Sequence, residues 1–283
     1  LGCTLEASIN GQSKIEDRKS KISGYCFYLC DKFKAMLETL LQHRTIRKYR
    51  EEAVSERLLN KILEAGCRAS TTGNMQVYSV VVTRDASMKE RLSGCHFNQP
   101  MVKKAPVVLT FCADFNRFNR WCALNNADPG YDNFLSFFTA AIDALLVAQN
   151  VCVAAESEGL GICYLGTTTY LAGKIIEILQ LPMGVVPVTT VTIGWPDENP
   201  ALVDRLPLEA VVHNETYRDY SDEDIARLYS AKEQLPENLK FVDENNKSSL
   251  AQVFTDVRYK KADNVLFSGM LLEVLKQQGF MNQ

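Results

Sequence analysis

Apolar positions change their spacing several times along the chain, and each change marks an element. Residues 1–35 are polar and lysine-rich without a sustained period, apart from the aromatic patch Tyr25-Cys-Phe-Tyr-Leu29. From Met36 the pattern turns helical through Leu37-Glu-Thr-Leu-Leu-Gln42. Ser55–Ala65 repeats apolar residues at helical spacing, with Ser55 placed to cap it and Gly66 to stop it. Tyr78–Thr83 reads as a strand, Ala86–Leu92 as a short helix, and the second half of Ala105–Ala113 as a buried strand. Asp114–Asn133 is a polar-aromatic connection with Trp121 and Asp128-Pro-Gly130, long enough to be a functional flap. Phe134 then opens the most apolar long segment of the chain. It reads as a helix that breaks at Gly159 and Gly161 and passes on through Tyr164-Leu-Gly166. Leu171–Leu181 predicts another helix, and Val185–Ile193 a β-branched strand ending at Gly194-Trp-Pro196. Beyond lie a turn-rich loop (Asp197–Arg205), a charged helix (Asp222–Gln234), a polar loop (Pro236–Ser249) and an amphipathic segment (Phe267–Gln278).

Composition narrows the class. The chain has 283 residues, 46% apolar and 23% charged, enough for one large domain or two small ones with a sizeable core. A net charge of -3 offers no basic field for nucleic acid. The apolar segment after Phe134 is interrupted by Asp143 and soon followed by Gln149, Asn150 and Glu156, which fits a buried helix rather than a membrane span. Nine cysteines are odd in number and irregular in spacing, with no C-x-x-C. Cys67, Cys112, Cys152 and Cys163 lie in or beside apolar runs, as small hydrophobes do. Free thiols fit a reducing, cytoplasmic compartment. His43, His96 and His213 are far apart, so no zinc site is expected. Met36 reads as the start of the domain proper, which then runs from 36 to 283. Residues 1–35 would be an extension, or an arm packing on a partner.

Candidate chemistry is sparse. His43-Arg-Thr-Ile-Arg-Lys-Tyr49 follows the first helix. It is either a solvated basic loop or an anion site, since His43, Thr45 and Arg47 share one face of an extended segment. Ala69–Gln76 is rich in small hydroxyl and amide groups and by itself is a turn. Gly159-Leu-Gly161 follows a helix, the wrong context for a dinucleotide loop, and neither G-x-x-x-x-G-K-[ST] nor G-x-S-x-G occurs.

Taken in order, these pieces resemble the nitroreductase family of flavoproteins, and within it the larger branch that uses NADPH. The resemblance is carried by His43-Arg-Thr-Ile-Arg47, Ser70-Thr-Thr-Gly-Asn-Met-Gln76, Gln99 ahead of Phe111-Cys-Ala-Asp-Phe-Asn-Arg117, and Ala148-Gln-Asn150 with Ala154-Ala-Glu-Ser157. It continues through Gly159-Leu-Gly161, Tyr164-Leu-Gly166, Gly194-Trp-Pro196 and Arg205-Leu-Pro207, up to Val212-His213. It implies an α+β fold, a mainly antiparallel sheet flanked by helices, assembled as a homodimer with FMN at the subunit interface. The C-terminal extension would begin near residue 218. His43, Arg44 and Thr45 would sit by the FMN phosphate, joined by Arg205. Arg47 would reach the pyrimidine edge of the ring, where a cation favours negative charge on the reduced flavin. Ser70, Thr71, Thr72, Asn74 and Gln76 would come from the opposite subunit. Gln99 would hydrogen-bond the ring, and Tyr164, Leu165, Gly166 and Thr167 would line its other face and edge.

Two departures stand out. Val203 occupies a position where many relatives carry a phosphate-binding lysine. The residues available to grip a 2′-phosphate (Lys240, Lys247, Arg258, Lys260 and Lys261) show no alignable pattern, so NADPH is only favoured over NADH. The implied reaction is ping-pong hydride transfer from NAD(P)H through FMN to a nitroaromatic, quinone or flavin. The alternative from another class is a flavin-binding protein without turnover, such as a flavin store or a regulatory subunit.

Overall fold

The structure is a computed structural model that describes residues 36–282; the predicted N-terminal extension, 1–35, lies outside them. A helical stretch at 36–41 (α1) leads to α2 (Glu56–Gly66), where the Ser55 side chain accepts the Leu58 N–H as a cap. The sheet follows: β1 (Tyr78–Thr83), helices α3 (Ala86–Cys95) and α4 (Pro100–Lys104), then β2 (Val107–Asp114). Next come α5 (Asn116–Leu124), the long α6 (Phe134–Ser157), β3 (Gly161–Leu165), α7 (Ala172–Leu179) and β4 (Val185–Gly194). The C-terminal third is helical: α8 (Asp222–Glu233), α9 (Pro236–Glu244), the short α10 (Leu250–Gln252) and α11 (Lys261–Gln277).

All strand pairs are antiparallel, in the order β1-β2-β4-β3, so the fold is α+β as expected. Every residue of β2 is buried because helices cover both faces of the sheet. Val107, Leu109 and Phe111 point to the α2–α6 side, where they meet Ile62, Val147 and Val151. Val108 points the other way, to Leu92, Val102 and Ile175 from α3, α4 and α7. This is the two-residue alternation of a strand buried on both sides. A register shift between Phe111 and Cys112 falls opposite Pro187, which has no N–H to give the ladder.

Three glycines let segments approach closely. Gly66 does not stop α2 by a left-handed turn; a Cβ there would lie 2.1 Å from Val151 Cγ2, so glycine is what lets α2 pack on α6. Gly161 and Gly194 are partners across β3 and β4. A Cβ on Gly161 would meet Ile46 at 2.6 Å, and one on Gly194 would meet Tyr49 at 2.8 Å. The basic segment therefore crosses the sheet in a groove made by these two glycines, secured by Ile46 N–H to Ile162 O at 2.9 Å.

Some expectations change. Half of the connection after Asp114 is the helix α5, and Phe115 beneath it is buried and stacked on Tyr131. The polar loop expected from Pro236 contains α9, with Pro236 in its first turn. Cys67 is exposed, whereas Cys112, Cys152 and Cys163 are buried. The chain end returns to the sheet, where Leu275 and Phe280 join Val77, Ala113 and Val186. By length and composition α6 could cross a membrane. One side of it is core, however. Its exposed side carries a stripe of Phe134, Leu135, Phe138, Ile142, Leu145 and Leu146.

Candidate functional site

Helix α6 positions most of the residues singled out above. Near its C-terminal end the half-buried His43 donates from Nδ1 to Glu156 Oε1 at 2.7 Å. Burial pushes the Glu156 carboxyl up, and the bonds from His43 and the Arg44 backbone pull it back. Residues 43 and 44 are thereby pinned to the end of α6. Arg44 Nε is buried and has no hydrogen-bond partner among the described residues. A cleft of about 510 Å³ opens beside it, lined also by Glu38, Glu156 and Glu198. Two of these carboxylates are already engaged, Glu156 by His43 and Glu198 by the Arg47 and Lys48 N–H groups.

Thr45 bridges Ile162 of β3. The backbone N–H groups of Arg47 and Lys48 both donate to Glu198 Oε1, which holds the segment where it leaves the glycine groove. The exposed Arg47 side chain still acts on the sheet: burial pushes the Cys163 thiol up, and the Arg47 charge opposes that shift. Arg205 lies exposed in the loop after β4, and its Nη1 reaches only the Val203 and Asp204 carbonyls, at 3.2 and 2.9 Å. Arg84 and Arg227 pair with glutamates at 2.9 and 2.5 Å. Arg44, Arg47 and Arg205 have no carboxylate partner among the described residues, as guanidinium groups kept for an external anion would not.

The second group leaves the C-terminal end of β3. Tyr164 donates to Gln149 Oε1 at 3.3 Å, and burial pushes its phenol well above the ordinary tyrosine range. Leu165 is buried, but Gly166 is exposed and a Cβ there would touch nothing. The protein's own packing thus gives no reason for that glycine, whereas a flat ligand against the backbone would. Thr167 Oγ1 lies 2.8 Å from His96 Nδ1. The Gln99 N–H donates to the His96 carbonyl at 3.1 Å. His96 therefore ties Thr167 and Gln99 together. In the sequence His96 is one of three scattered histidines; its place at the end of α3, three residues before Gln99, is the available cue. It is fully buried, and desolvation lowers its pKa to about 4, so the ring is neutral.

The third group stays apart. Thr72 N–H donates to Asp143 Oδ1 at 3.0 Å, fixing the loop from Ser70 to Gln76 against the middle of α6. Ser70, Thr72, Asn74 and Gln76 are exposed and Thr71 is half-buried. Asn74 and Gln76 both have positive φ. This loop feeds β1, one edge strand, whereas Tyr164–Thr167 leave β3, the other edge. Asp143 and Glu156 are also 13 positions apart, about 20 Å along a helix at 1.5 Å per residue. One chain does not bring the Ser70–Gln76 loop to the residues around His43.

A model of the family described as "Nitroreductase family" matches residues 40–195, more than half of the chain. The chain belongs to the nitroreductase family. Its curated relatives include an FMN reductase [NAD(P)H] of Bacillus subtilis (strain 168), 36% identical over 204 residues, covering 71% of this chain and 82% of that protein. An oxygen-insensitive NADPH nitroreductase of Salmonella typhimurium is 34% identical, covering 68% and 78%. Among solved structures, a Bacteroides fragilis NCTC 9343 protein assigned as an oxidoreductase is 60% identical with a TM-score of 0.85, covering 87% of this chain and all of that one. The NADPH:FMN oxidoreductase of Vibrio harveyi complexed with NAD+ has a TM-score of 0.69 at 27% identity, covering 88% of this chain and 100% of that one.

Proposed function

We propose that this member of the nitroreductase family is an FMN-dependent NAD(P)H oxidoreductase, active as a homodimer, that reduces nitroaromatics, quinones or flavins in a ping-pong cycle. The single observation that carries the dimeric site is the separation of its two halves. The donors of the Ser70–Gln76 loop and the wall of Tyr164–Thr167 leave opposite edges of the sheet. A two-fold partner resolves this, because the loop of one subunit can face the wall of the other. The exposed stripe on α6 supports that pairing, since six large apolar side chains on one helix face are costly in water.

The residues present fit FMN. Arg44 and Arg205 would hold its phosphate, assisted by Thr45 and by His43, whose Nδ1 is already committed to Glu156. Val203, two residues before Arg205, is exposed and uncharged, and the Lys232 ammonium close by is paired with Asp204 at 2.8 Å. Arg47 would meet the electron-poor edge of the ring. Gly166 would admit the ring to the backbone, and Gln99 and Thr167 would bond its edge, held in place by neutral His96. From the partner, Thr71, Thr72 and Asn74 would complete the contact, with Ser70 and Gln76 at its margin. Bound FMN would supply the two-electron chemistry, accepting hydride from the nicotinamide and passing it to the acceptor.

In this arrangement Arg47 would supply positive charge where negative charge develops on the ring. His96 adds no charge beside Thr167 near pH 7, because burial keeps its ring neutral. The protein supplies position and field, and no side chain is needed as an acid or base.

The test is an absorbance spectrum of the purified protein, followed by anaerobic titration with NADPH and NADH. The expected result is a flavin spectrum that bleaches with either nucleotide and recovers on adding a nitroaromatic. A flavin spectrum that does not bleach within minutes would favour a flavin store. A colourless protein that takes up no FMN would overturn the reading altogether.

A further inference from the structure

One cavity is not used by the residues discussed so far. It measures about 570 Å³ and lies between the α3–α4 turn, the stretch after Thr167 and the start of α11. That volume suits a ligand of one or two rings. Four aromatic residues line it, and three of them, Phe97, Tyr170 and Phe267, pack on one another. Tyr170 and Phe267 stack with ring centroids 4.4 Å apart, and Phe97 leans on both at 6.3 and 6.2 Å.

Phe97 is the least expected of the three. It has φ +53, as its neighbour Asn98 has φ +56, where a side chain with a Cβ is strained by roughly 1–2 kcal/mol. The strain does not hide the ring, because Phe97 is 52% exposed. The backbone is held there by Asn98 N–H to Ser93 O at 2.9 Å and by Gln99 N–H to His96 O. A strained, half-exposed aromatic at the rim of an aromatic cavity is an arrangement suited to stacking.

The polar side of the cavity carries charge. Arg258 lines the cavity, and its guanidinium lies 4.5 Å from the Phe241 ring centroid and 5.8 Å from that of Phe254. Arg258 and Lys260 have no ion-pair partner among the described residues, and Asp263 is the one carboxylate among the lining residues. The cavity also adjoins the proposed flavin wall, because Gln99 is two residues beyond Phe97 and Thr167 three before Tyr170.

We propose that this cavity is the acceptor subsite, and that it selects a planar aromatic ring bearing an anionic substituent, with Phe97 stacking on the ring and Arg258 bonding the anion. This rests on the oxidoreductase reading above and adds a substrate class to it. The preferred acceptors are then acidic nitroaromatics or quinones rather than neutral ones.

The test reads binding, without turnover. The oxidised protein as purified is titrated in a calorimeter with 4-nitrobenzoate and with neutral 4-nitrobenzyl alcohol. The wild type should bind the acid more tightly. Arg258→Gln should weaken the acid about 10-fold, as loss of a charge-assisted bond does, and leave the alcohol within about 2-fold. Phe97→Ala should weaken both by about 5-fold, as loss of a stacked ring does. Equal affinity of wild type for acid and alcohol would overturn the proposal, as would no binding of either. Unchanged binding of the acid to Phe97→Ala would do the same. So would an Arg258→Gln effect on adenosine 2′,5′-bisphosphate without one on the acid, which would assign the arginine to the co-substrate. These outcomes are separate from the flavin reading: bleaching by NADPH in the wild type sustains that reading even where the acceptor subsite fails.

Discussion

His96 makes stability depend on pH in a way that can be isolated. Its ring is buried and its pKa falls to about 4, against 6.5 for an exposed histidine. The unfolded chain therefore binds a proton below pH 6.5 while the folded protein refuses it until about pH 4. Stability contributed by the neutral ring is complete above pH 6.5 and is lost as pH falls through that window. The whole shift is worth about 3 kcal/mol, and between pH 7.5 and pH 5 it removes roughly 2 kcal/mol. His96→Gln keeps a hydrogen-bonding group for Thr167 without a titratable one. Urea unfolding of both proteins, at pH 7.5 and pH 5 and at one protein concentration, gives two stability gaps. Other carboxyl and thiol groups titrate alike in both proteins and cancel. The variant starts less stable, and the gap should narrow by roughly 2 kcal/mol at the lower pH. A gap that stays the same at the two pH values would refute the argument, since it would mean His96 takes up its proton as freely folded as unfolded.

Further outcomes follow from other parts of the molecule. Gly161→Ala places a methyl group 2.6 Å from Ile46 and should cost about 1–3 kcal/mol in unfolding experiments, with the basic segment displaced. Ile142→Asp puts a charge into the exposed stripe of α6; analytical ultracentrifugation should show a dimer for the wild type and a monomer for the variant, accompanied by loss of FMN. Arg205→Ala should raise the FMN dissociation constant about 10-fold or more, measured by fluorescence recovery of released flavin. Arg47→Ala should retain FMN but slow its bleaching by NADPH in a stopped-flow experiment by about 10-fold or more.

Much of the fold could be read in the chain because its signals are local. Tyr78–Thr83 and Val185–Gly194 are β-branched runs bounded by turn residues, and α6 is a long apolar stretch capped by Asn133. α9 is hard to read in the chain because its apolar residues are few and its surroundings polar, although Pro236 in its first turn is a legible start signal. The ordered motifs from His43 to Arg205 sufficed to suggest the family. They did not say how those residues share space.

That division has a physical cause. Secondary structure and family pattern depend on neighbours within a few residues, so the sequence alone determined the strands, the long helix and the candidate ligands. Roles that depend on what approaches from a distance were decided only by tertiary structure. Gly66 and Gly161 look like helix breakers in the chain, yet each makes room for Val151 or Ile46 from another element. His96 looks like one of three scattered histidines until burial sets it between Thr167 and Gln99. The Ser70–Gln76 loop reads as a plain turn until the order of four strands sets it at the edge opposite Tyr164.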